Sequence, residues 1–295
     1  MKNKGTIFLL IAAAIWGFAL IAQKAGMDHL GAFSFTSIRC LLGGISMLPL
    51  VYVLTKKSAA SADGADQVSE KLSWKAALQC GFFLTCLMLL QQFGLPYTSV
   101  GKAAFITALY IPITPMLERL TGKKVSKYVW ISAGVALVGM YLLCFTGGLE
   151  GFNFGDACML GAAFAASLQM LAVDKWVKQV DPVKLSSYQF IVTGLICLPF
   201  ALIFETVTWE AIQATAIPIL YAALCSCGLG YTFQVVGQKY TTAGRTAILL
   251  SMETVFSLFA GMIFYQEVMS VIEYAGCAVM FLAVLLSQKG DGAAA

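Results

Sequence analysis

The stretch GAFSFTSIRCLLGGISMLPL at residues 31–50 reappears 150 positions later as DPVKLSSYQFIVTGLICLPF at residues 181–200. Both copies keep a serine near the start, a glycine in the middle and a Leu-Pro pair near the end at the same spacing. After the connection at residues 55–73 the spacing becomes 143, since Gln91 aligns with Gln234 and YTSVGKAAFITALYIP at 97–112 aligns with YTTAGRTAILLSMETV at 240–255. The chain is therefore predicted to consist of two related halves, residues 1–146 and 147–295.

Composition places the chain in a membrane. Of its 295 residues, 59% are hydrophobic and 12% are charged, and the mean hydropathy is +0.82. Polar groups this scarce could not cover a soluble domain of that size, so lipid is the predicted solvent and a soluble enzyme is excluded. The nine cysteines lie in apolar segments without a CxxC pair, and the chain has one histidine. We therefore expect neither a metal site nor a cofactor.

Ten apolar stretches are long enough to cross a hydrocarbon core about 30 Å thick, which needs about 20 helical residues. The sequence predicts an all-α integral membrane protein with ten transmembrane helices at residues 6–23, 32–54, 74–95, 99–117, 127–145, 156–174, 183–204, 216–237, 243–265 and 270–288. The longest connection, residues 55–73, is rich in alanine, serine and charged residues. It is predicted to be a mobile cytoplasmic linker within the first half.

The distribution of lysine and arginine predicts the orientation. With a cytoplasmic N-terminus, sixteen of the 19 cations fall in cytoplasmic segments, two fall outside and Arg39 lies within a span. This bias predicts that both termini are cytoplasmic. Because each half has five spans, an odd number, the second half is expected to enter the membrane with inverted orientation. The net charge of +4 then reflects topology, and nucleic acid is not an expected partner.

Several short motifs resemble those of EamA-type transporters in the drug/metabolite transporter superfamily. They are Trp16-Gly17, Arg39, the YTSVGKAAFI and YTTAGRTAIL openings of spans four and nine, Met252-Glu253-Thr254-Val255, and Gln266-Glu267 followed by Gly276. The resemblance covers essentially the full chain. It implies secondary transport of small metabolites, often export of amino acids or related compounds, through a central cavity between the halves. It also favours a prokaryotic plasma membrane.

Two charged residues lie where lipid would not tolerate them. Glu253 is about mid-membrane in span nine, where a carboxylate costs several kcal/mol unless it is protonated, paired or hydrated. It is a candidate proton-coupling carboxyl or a contact for a substrate cation; the alternative is a neutral carboxyl that locks helices together. Arg39, in span two, is a candidate clamp for a substrate carboxylate. Its alternative is snorkelling to the interface. Its counterpart in the second half is the uncharged Gln189.

Neutral polar and aromatic residues complete the predicted binding site. Glutamines are costly in lipid and should face water or a polar partner, although some of them would only bridge helices. Trp16 and Tyr110 are candidates for contact with an amphipathic substrate, or else ordinary packing aromatics. The full predicted set for substrate binding or coupling is Glu253, Arg39, Gln91, Gln92, Tyr110, Trp16, Gln169, Gln234 and Ser251.

Prolines in the spans indicate helices that can bend during transport. Pro112 and Pro115 in span four remove backbone donors and favour kinks, whereas span nine has Val255 at the position equivalent to Pro112. Spans four and nine would then bend or gate differently; the alternative is that prolines and glycines are simply tolerated in spanning helices.

Three classes of function remain open from the sequence. A secondary transporter working by alternating access is favoured by the inverted repeat and the mid-membrane carboxyl. An embedded enzyme would need a constellation such as HExxH or paired aspartates, which the sequence lacks. The alternative is a channel-like facilitator or a membrane scaffold. The expected partners are a small-molecule substrate, the lipid bilayer and protons as the candidate coupling ion, for a monomer or homodimer.

Overall fold

The computed structural model describes residues 2–27, 29–61, 70–98, 100–144, 153–265 and 270–289. Within this part of the chain the regular elements are helices, with no strand. In chain order they are α1 (Lys2–Met27), α2 (Ala32–Ser46), α3 (Leu48–Ser61), α4 (Glu70–Gly94), a 3₁₀ turn (Leu95–Tyr97), α5 (Val100–Thr107), α6 (Tyr110–Leu120), α7 (Lys127–Cys144), α8 (Phe154–Trp176), α9 (Pro182–Phe204), α10 (Trp209–Ala214), α11 (Ala216–Leu220), a π segment (Tyr221–Gly230), α12 (Tyr231–Gln238), α13 (Ala243–Leu250), α14 (Glu253–Tyr265) and α15 (Val271–Gln288).

Each of the ten predicted spans corresponds to a helix or to consecutive helical segments. By length and composition, five described stretches are long and apolar enough to cross a membrane: Ala32–Lys56, Glu70–Tyr97, Phe154–Trp176, Pro182–Phe204 and Ala216–Gln238. Shorter apolar helices lie within α1, α7 and α15. The remaining two predicted spans are each divided, into α5 and α6 and into α13 and α14. The chain is an all-α membrane protein.

Two equivalent hydrogen bonds join α2 to α9 and follow the sequence repeat. Ser37 Oγ donates to the Gly194 carbonyl at 3.0 Å. Its repeat partner Ser187 donates from Oγ to the Gly44 carbonyl at 2.7 Å. Gly44 and Gly194 are themselves repeat partners, so the two halves are related by a two-fold exchange, as in an isologous dimer interface. The two helices run antiparallel, as an inverted repeat requires.

Glycines repeat the same exchange at two other helix pairs. α1 meets α12 at Gly5 and Gly237, and α8 meets α4 at the equivalent Gly155 and Gly94. A Cβ on any of these four residues would lie within 3.1 Å of the partner's carbonyl oxygen, which shows how closely the backbones approach. α7 and α15 also meet at a pair of glycines, 139 and 276, which lie 137 residues apart. Close backbone packing at glycines therefore joins the halves at three helix pairs.

These contacts define the two ends of the helix bundle. We use "terminal face" for the end where α1 begins, beside the end of α12 and the start of α13. There Arg245 Nη2 donates to Thr6 Oγ1 at 3.1 Å. The "opposite face" is the end where α4 finishes beside the start of α8. The predicted topology makes the terminal face cytoplasmic.

Spans four and nine break at equivalent positions. A turn at residues 108–109 separates α5 from α6, and a turn at residues 251–252 separates α13 from α14. The same backbone bonds bridge both turns: Ile111 N donates to Ala108 O at 2.9 Å, and Thr254 N donates to Ser251 O at 3.3 Å. Proline is not required for this break, because span nine breaks at the equivalent point without one. This favours the alternative that the prolines are simply tolerated in span four.

The structure narrows the predicted linker. Residues 55–61 continue α3, and residues 70–73 already belong to α4. Residues 62–69, the predicted boundary between the halves at 146–147, and Gln266-Glu267 all lie outside the described residues.

The reciprocal serine bonds lead to a prediction on stability. Ser37→Ala and Ser187→Ala should each lower the free energy of unfolding by ~0.6 to ~1.7 kcal/mol, the usual range for a hydrogen bond between membrane helices. The two losses should be similar because the contacts are equivalent. Denaturant unfolding in detergent measures both. Ser46→Ala is the matched control, since Ser46 is exposed and its Oγ bonds to Gly43 O within its own helix at 2.8 Å. Clearly unequal losses would contradict the two-fold equivalence.

Candidate functional site

A cavity lies between the two halves, near the breaks in spans four and nine. It encloses about 730 Å³ of space free of protein atoms, including its open mouth. Its wall is formed by Trp16, Gln23, Arg39, Leu87, Met88, Gln91, Thr107, Tyr110, Ala166, Gln169, Met170, Ser226, Tyr231, Gln234, Leu250 and Glu253. Five pairs of repeat partners contribute both members to this wall, which places the cavity around the two-fold relation of the halves: Trp16 with Ala166, Met88 with Tyr231, Gln91 with Gln234, Thr107 with Leu250, and Tyr110 with Glu253.

The two helix breaks place an aromatic residue and a carboxylate at equivalent points of this wall. Tyr110 begins α6 and Glu253 begins α14. The Glu253 carboxylate therefore lies at a helix N-terminus, where the helix dipole favours negative charge. Its side chain forms no ion pair or hydrogen bond with any residue that the structure describes. The carboxylate is thus available to a ligand.

Arg39 supplies positive charge to the same cavity. The residue is 2% exposed, and its Nε has no hydrogen-bond partner among the described residues. Its guanidinium lies 5.2 Å from the centroid of the Phe35 ring, one helical turn earlier on α2. No carboxylate of the described chain pairs with it, so a buried cation faces the cavity without a protein counter-ion. Such a charge is costly unless an anionic ligand neutralises it or water solvates it.

Aromatic rings form one side of the cavity. The Trp16 and Tyr231 rings lie 4.4 Å apart between centroids, and Phe190 packs edge-on against Tyr231 at 5.0 Å. Trp16 Nε1 donates to the Ser226 carbonyl in the π segment at 3.4 Å. A Cβ on Gly230 would lie 2.6 Å from that indole nitrogen, so glycine is needed there to admit the ring. This wall offers apolar area for the body of an amphipathic ligand.

Four glutamines of the second half form a chain leading from the cavity toward the terminal face. Gln169 Nε2 donates to Gln189 Oε1, and Gln234 Nε2 donates to Gln169 Oε1, both at 3.3 Å. Gln234 also approaches Gln238 Oε1 at 3.4 Å, and Gln238 Nε2 donates to the Met170 carbonyl at 3.0 Å. Gln189 Nε2 and Gln234 Oε1 are buried and have no hydrogen-bond partner among the residues that the structure describes. These amides satisfy much of one another's hydrogen-bonding capacity, as buried polar groups must.

The cavity is closed toward the terminal face. α13 is buried along its whole length, and Gln238 and Glu118 are 0% and 4% exposed. In contrast, Thr107, at the end of α5, is only partly buried, as is Gln23 near the end of α1. Both residues line the cavity from the half of the bundle nearer the opposite face. We infer that the structure represents the state that is open toward that face.

The structure brings seven of the nine predicted site residues into this one cavity: Glu253, Arg39, Gln91, Tyr110, Trp16, Gln169 and Gln234. Gln92 is buried but does not line it, since adjacent helical residues point about 100° apart. Ser251 lies in the turn of span nine, and its Oγ donates to the Ile248 carbonyl at 2.7 Å. It supports the break and does not line the cavity. Sequence reasoning missed Gln23, Thr107, Ser226 and Tyr231.

Two related helical halves that enclose a polar cavity are an arrangement typical of membrane transporters. The sequence matches the EamA-like transporter family in two segments, residues 3–145 and 153–288. The chain belongs to this family. The family is one of transporters, in agreement with the expectation that the protein is not an enzyme.

Relatives agree with this assignment. An uncharacterized transporter of Archaeoglobus fulgidus is 26% identical over 279 residues, which cover 94% of this chain and 83% of the relative. The uncharacterized transporter YoaV of Bacillus subtilis is 20% identical and is covered over 88% of both chains. A solved crystal structure shares the fold over the full length of both chains, with a TM-score of 0.79 at 14% identity.

Proposed function

We propose that the protein is a secondary transporter of amino acids or related small amphipathic metabolites, working by alternating access. The observation that carries this proposal is the presence of Arg39 and Glu253 in one cavity, neither paired with a described residue. A zwitterion would place its carboxylate on the guanidinium and its ammonium on the carboxylate. The aromatic wall of Trp16 and Tyr231 would hold its apolar part.

In the same transport cycle, Glu253 would also bind the coupling proton. A carboxyl in the centre of the membrane can carry a proton when the substrate is absent, which would couple transport to a proton gradient. The predicted cytoplasmic position of both termini, in a plasma membrane, and the family resemblance favour export. In this orientation the partly buried residues Gln23 and Thr107 lie on the outer side of the cavity, which supports an outward-open state.

The test is counterflow in proteoliposomes loaded with a panel of unlabelled amino acids, amines and organic acids, with each labelled compound outside. Saturable exchange is expected for zwitterions. Glu253→Gln should lower that exchange at least about thirtyfold, since truncating one partner of a buried charge pair costs about 2–5 kcal/mol. Glu273→Gln, a change in a carboxylate that caps α15, is the control and should leave exchange unchanged.

Other outcomes would contradict the proposal in distinct ways. Flux that never saturates and shows no counterflow would identify a channel-like facilitator. Absence of flux for every compound would favour a scaffold. Equal exchange by wild type and Glu253→Gln would remove Glu253 from the binding and coupling site.

A further inference from the structure

A buried carboxylate outside the cavity lies at the terminal face. Glu118, near the end of α6, accepts a hydrogen bond from the backbone N–H of Gly244 at 3.0 Å, between Oε2 and N. Gly244 is the second residue of α13, so Glu118 joins the end of span four to the start of span nine. Its side chain is buried, with the residue 4% exposed. A buried carboxylate on a free N–H at a helix N-terminus is a strong, charge-assisted contact.

Further charges hold the Glu118 region in place from neighbouring elements. Asp174 on α8, Lys123 in the turn after α6 and Lys178 just after α8 are the charged groups that act on Glu118. Asp174 forms ion pairs with Lys123 and, at 3.4 Å, with Lys178. The lysines offset the repulsion between the two carboxylates. Elements from both halves are therefore joined at this face.

The repeat gives Glu118 no equivalent at the other end of the molecule. At the spacing of 143, its partner position is Gly261, and the partner of Gly244 is Gly101. A glycine has no side chain to accept a hydrogen bond from the start of span four. The inverted repeat alone would make the two closed states nearly equivalent, so Glu118 favours closure of the terminal face.

We propose that Glu118 is the latch of the terminal face: its bond to Gly244 must break before α6 and α13 separate and the cavity opens on that side. The inference rests on the alternating access proposed above and adds a gating residue that does not touch the substrate. Losing the latch shifts the protein from the state open at the opposite face toward the state open at the terminal face.

Two reporters, each with one cysteine added to the nine native cysteines, test the proposal in detergent-purified protein. Thr246→Cys lies in α13 at a position that is 0% exposed, and Thr107→Cys lies in the open cavity. The probe is a trimethylammonium methanethiosulfonate, and peptide mass spectrometry separates each added thiol from the native cysteines. With Glu118→Ala we expect modification at 246 to become at least tenfold faster and modification at 107 to become slower. Glu118→Gln keeps an acceptor oxygen and should give a smaller shift in both rates.

Glu205→Ala is the matched control. Glu205 also caps a helix N-terminus through its carboxylate, since it accepts bonds from Phe33 N at 3.0 Å and Ser34 N at 2.7 Å. It joins α9 to α2 at the opposite face, and we expect it to leave both reporter rates unchanged.

Three results would overturn the latch. The first is a rise at 246 with no change at 107, because Glu118 would then only cap α13. The second is no change at either reporter, and the third is an equal shift with Glu205→Ala. Failure of the proposed transport function is separate. It would show as absent counterflow in wild type, whereas the reporters need no substrate and measure the conformational change directly.

Discussion

Replacing Arg39 with glutamine, the residue at its repeat position, should abolish substrate binding without loss of stability. We expect Arg39→Gln to remove the rise in melting temperature caused by zwitterionic or anionic ligands and to lower counterflow at least about thirtyfold. The melting temperature without ligand should stay the same or rise. The reason is that Arg39 is a buried charge without a counter-ion among the described residues, and removing such a charge relieves a desolvation cost.

One lost contact opposes this relief. The contact of Arg39 with the Phe35 ring is worth about 0.5–2 kcal/mol. Differential scanning fluorimetry in detergent, with and without ligand, measures both quantities. Arg119→Gln, at the exposed end of α6, is the control for removing one positive charge. If Arg39→Gln lost stability while ligands still raised its melting temperature, Arg39 would be a structural residue.

A methyl group added at Gly17 is expected to damage both stability and binding. A Cβ there would lie 2.6 Å from Phe256 Cβ and 2.8 Å from the Glu253 carbonyl oxygen, so α14 would have to move away from α1. Overpacking of this kind usually costs about 1–3 kcal/mol. Because the displaced backbone carries Glu253, Gly17→Ala should also weaken ligand binding. Unfolding in detergent and ligand-induced thermal shifts measure the two effects.

Gly134→Ala is the matched control for this substitution. A Cβ at Gly134, within α7, meets no heavy atom within 4 Å. Alanine is the better helix former by about 1 kcal/mol, so this variant should be neutral or stabilised. A Gly17→Ala protein as stable as Gly134→Ala would mean that α1 and α14 are not held at the observed distance.

The sequence predicted the membrane class and the ten spans because both depend on local composition and length. It also predicted the two-half architecture, since the repeat is visible in aligned residues such as Ser37 and Ser187. The break in span nine was missed because its cause is not local. Span nine has no proline at the position equivalent to Pro112, yet the turn at residues 251–252 copies the turn in span four.

The sequence predicted how deep the site residues lie in the membrane, but not which of their side chains point into the cavity. A glutamine or glutamate within a span is costly in lipid, and this cost is the signal that predicts Gln91, Gln169, Gln234 and Glu253 as site residues. Whether a side chain points into the cavity depends on the rotation of its helix, and that rotation excludes Gln92. Thr107 and Ser226 gave no signal because a hydroxyl can bond to its own helix at little cost.

The two-fold relation shown by the Ser37 and Ser187 bonds has a consequence for the number of charged residues in the cavity. A complex of two identical five-helix subunits would repeat every residue, and its shared cavity would hold two arginines and two glutamates or none. Joining the copies in one polypeptide lets each copy diverge. The position of Arg39 is therefore occupied by Gln189 in the second half, and the position of Glu253 is occupied by Tyr110 in the first half. Among the described residues, the cavity wall thereby contains one positive and one negative group, a heteromeric arrangement obtained from a duplicated fold.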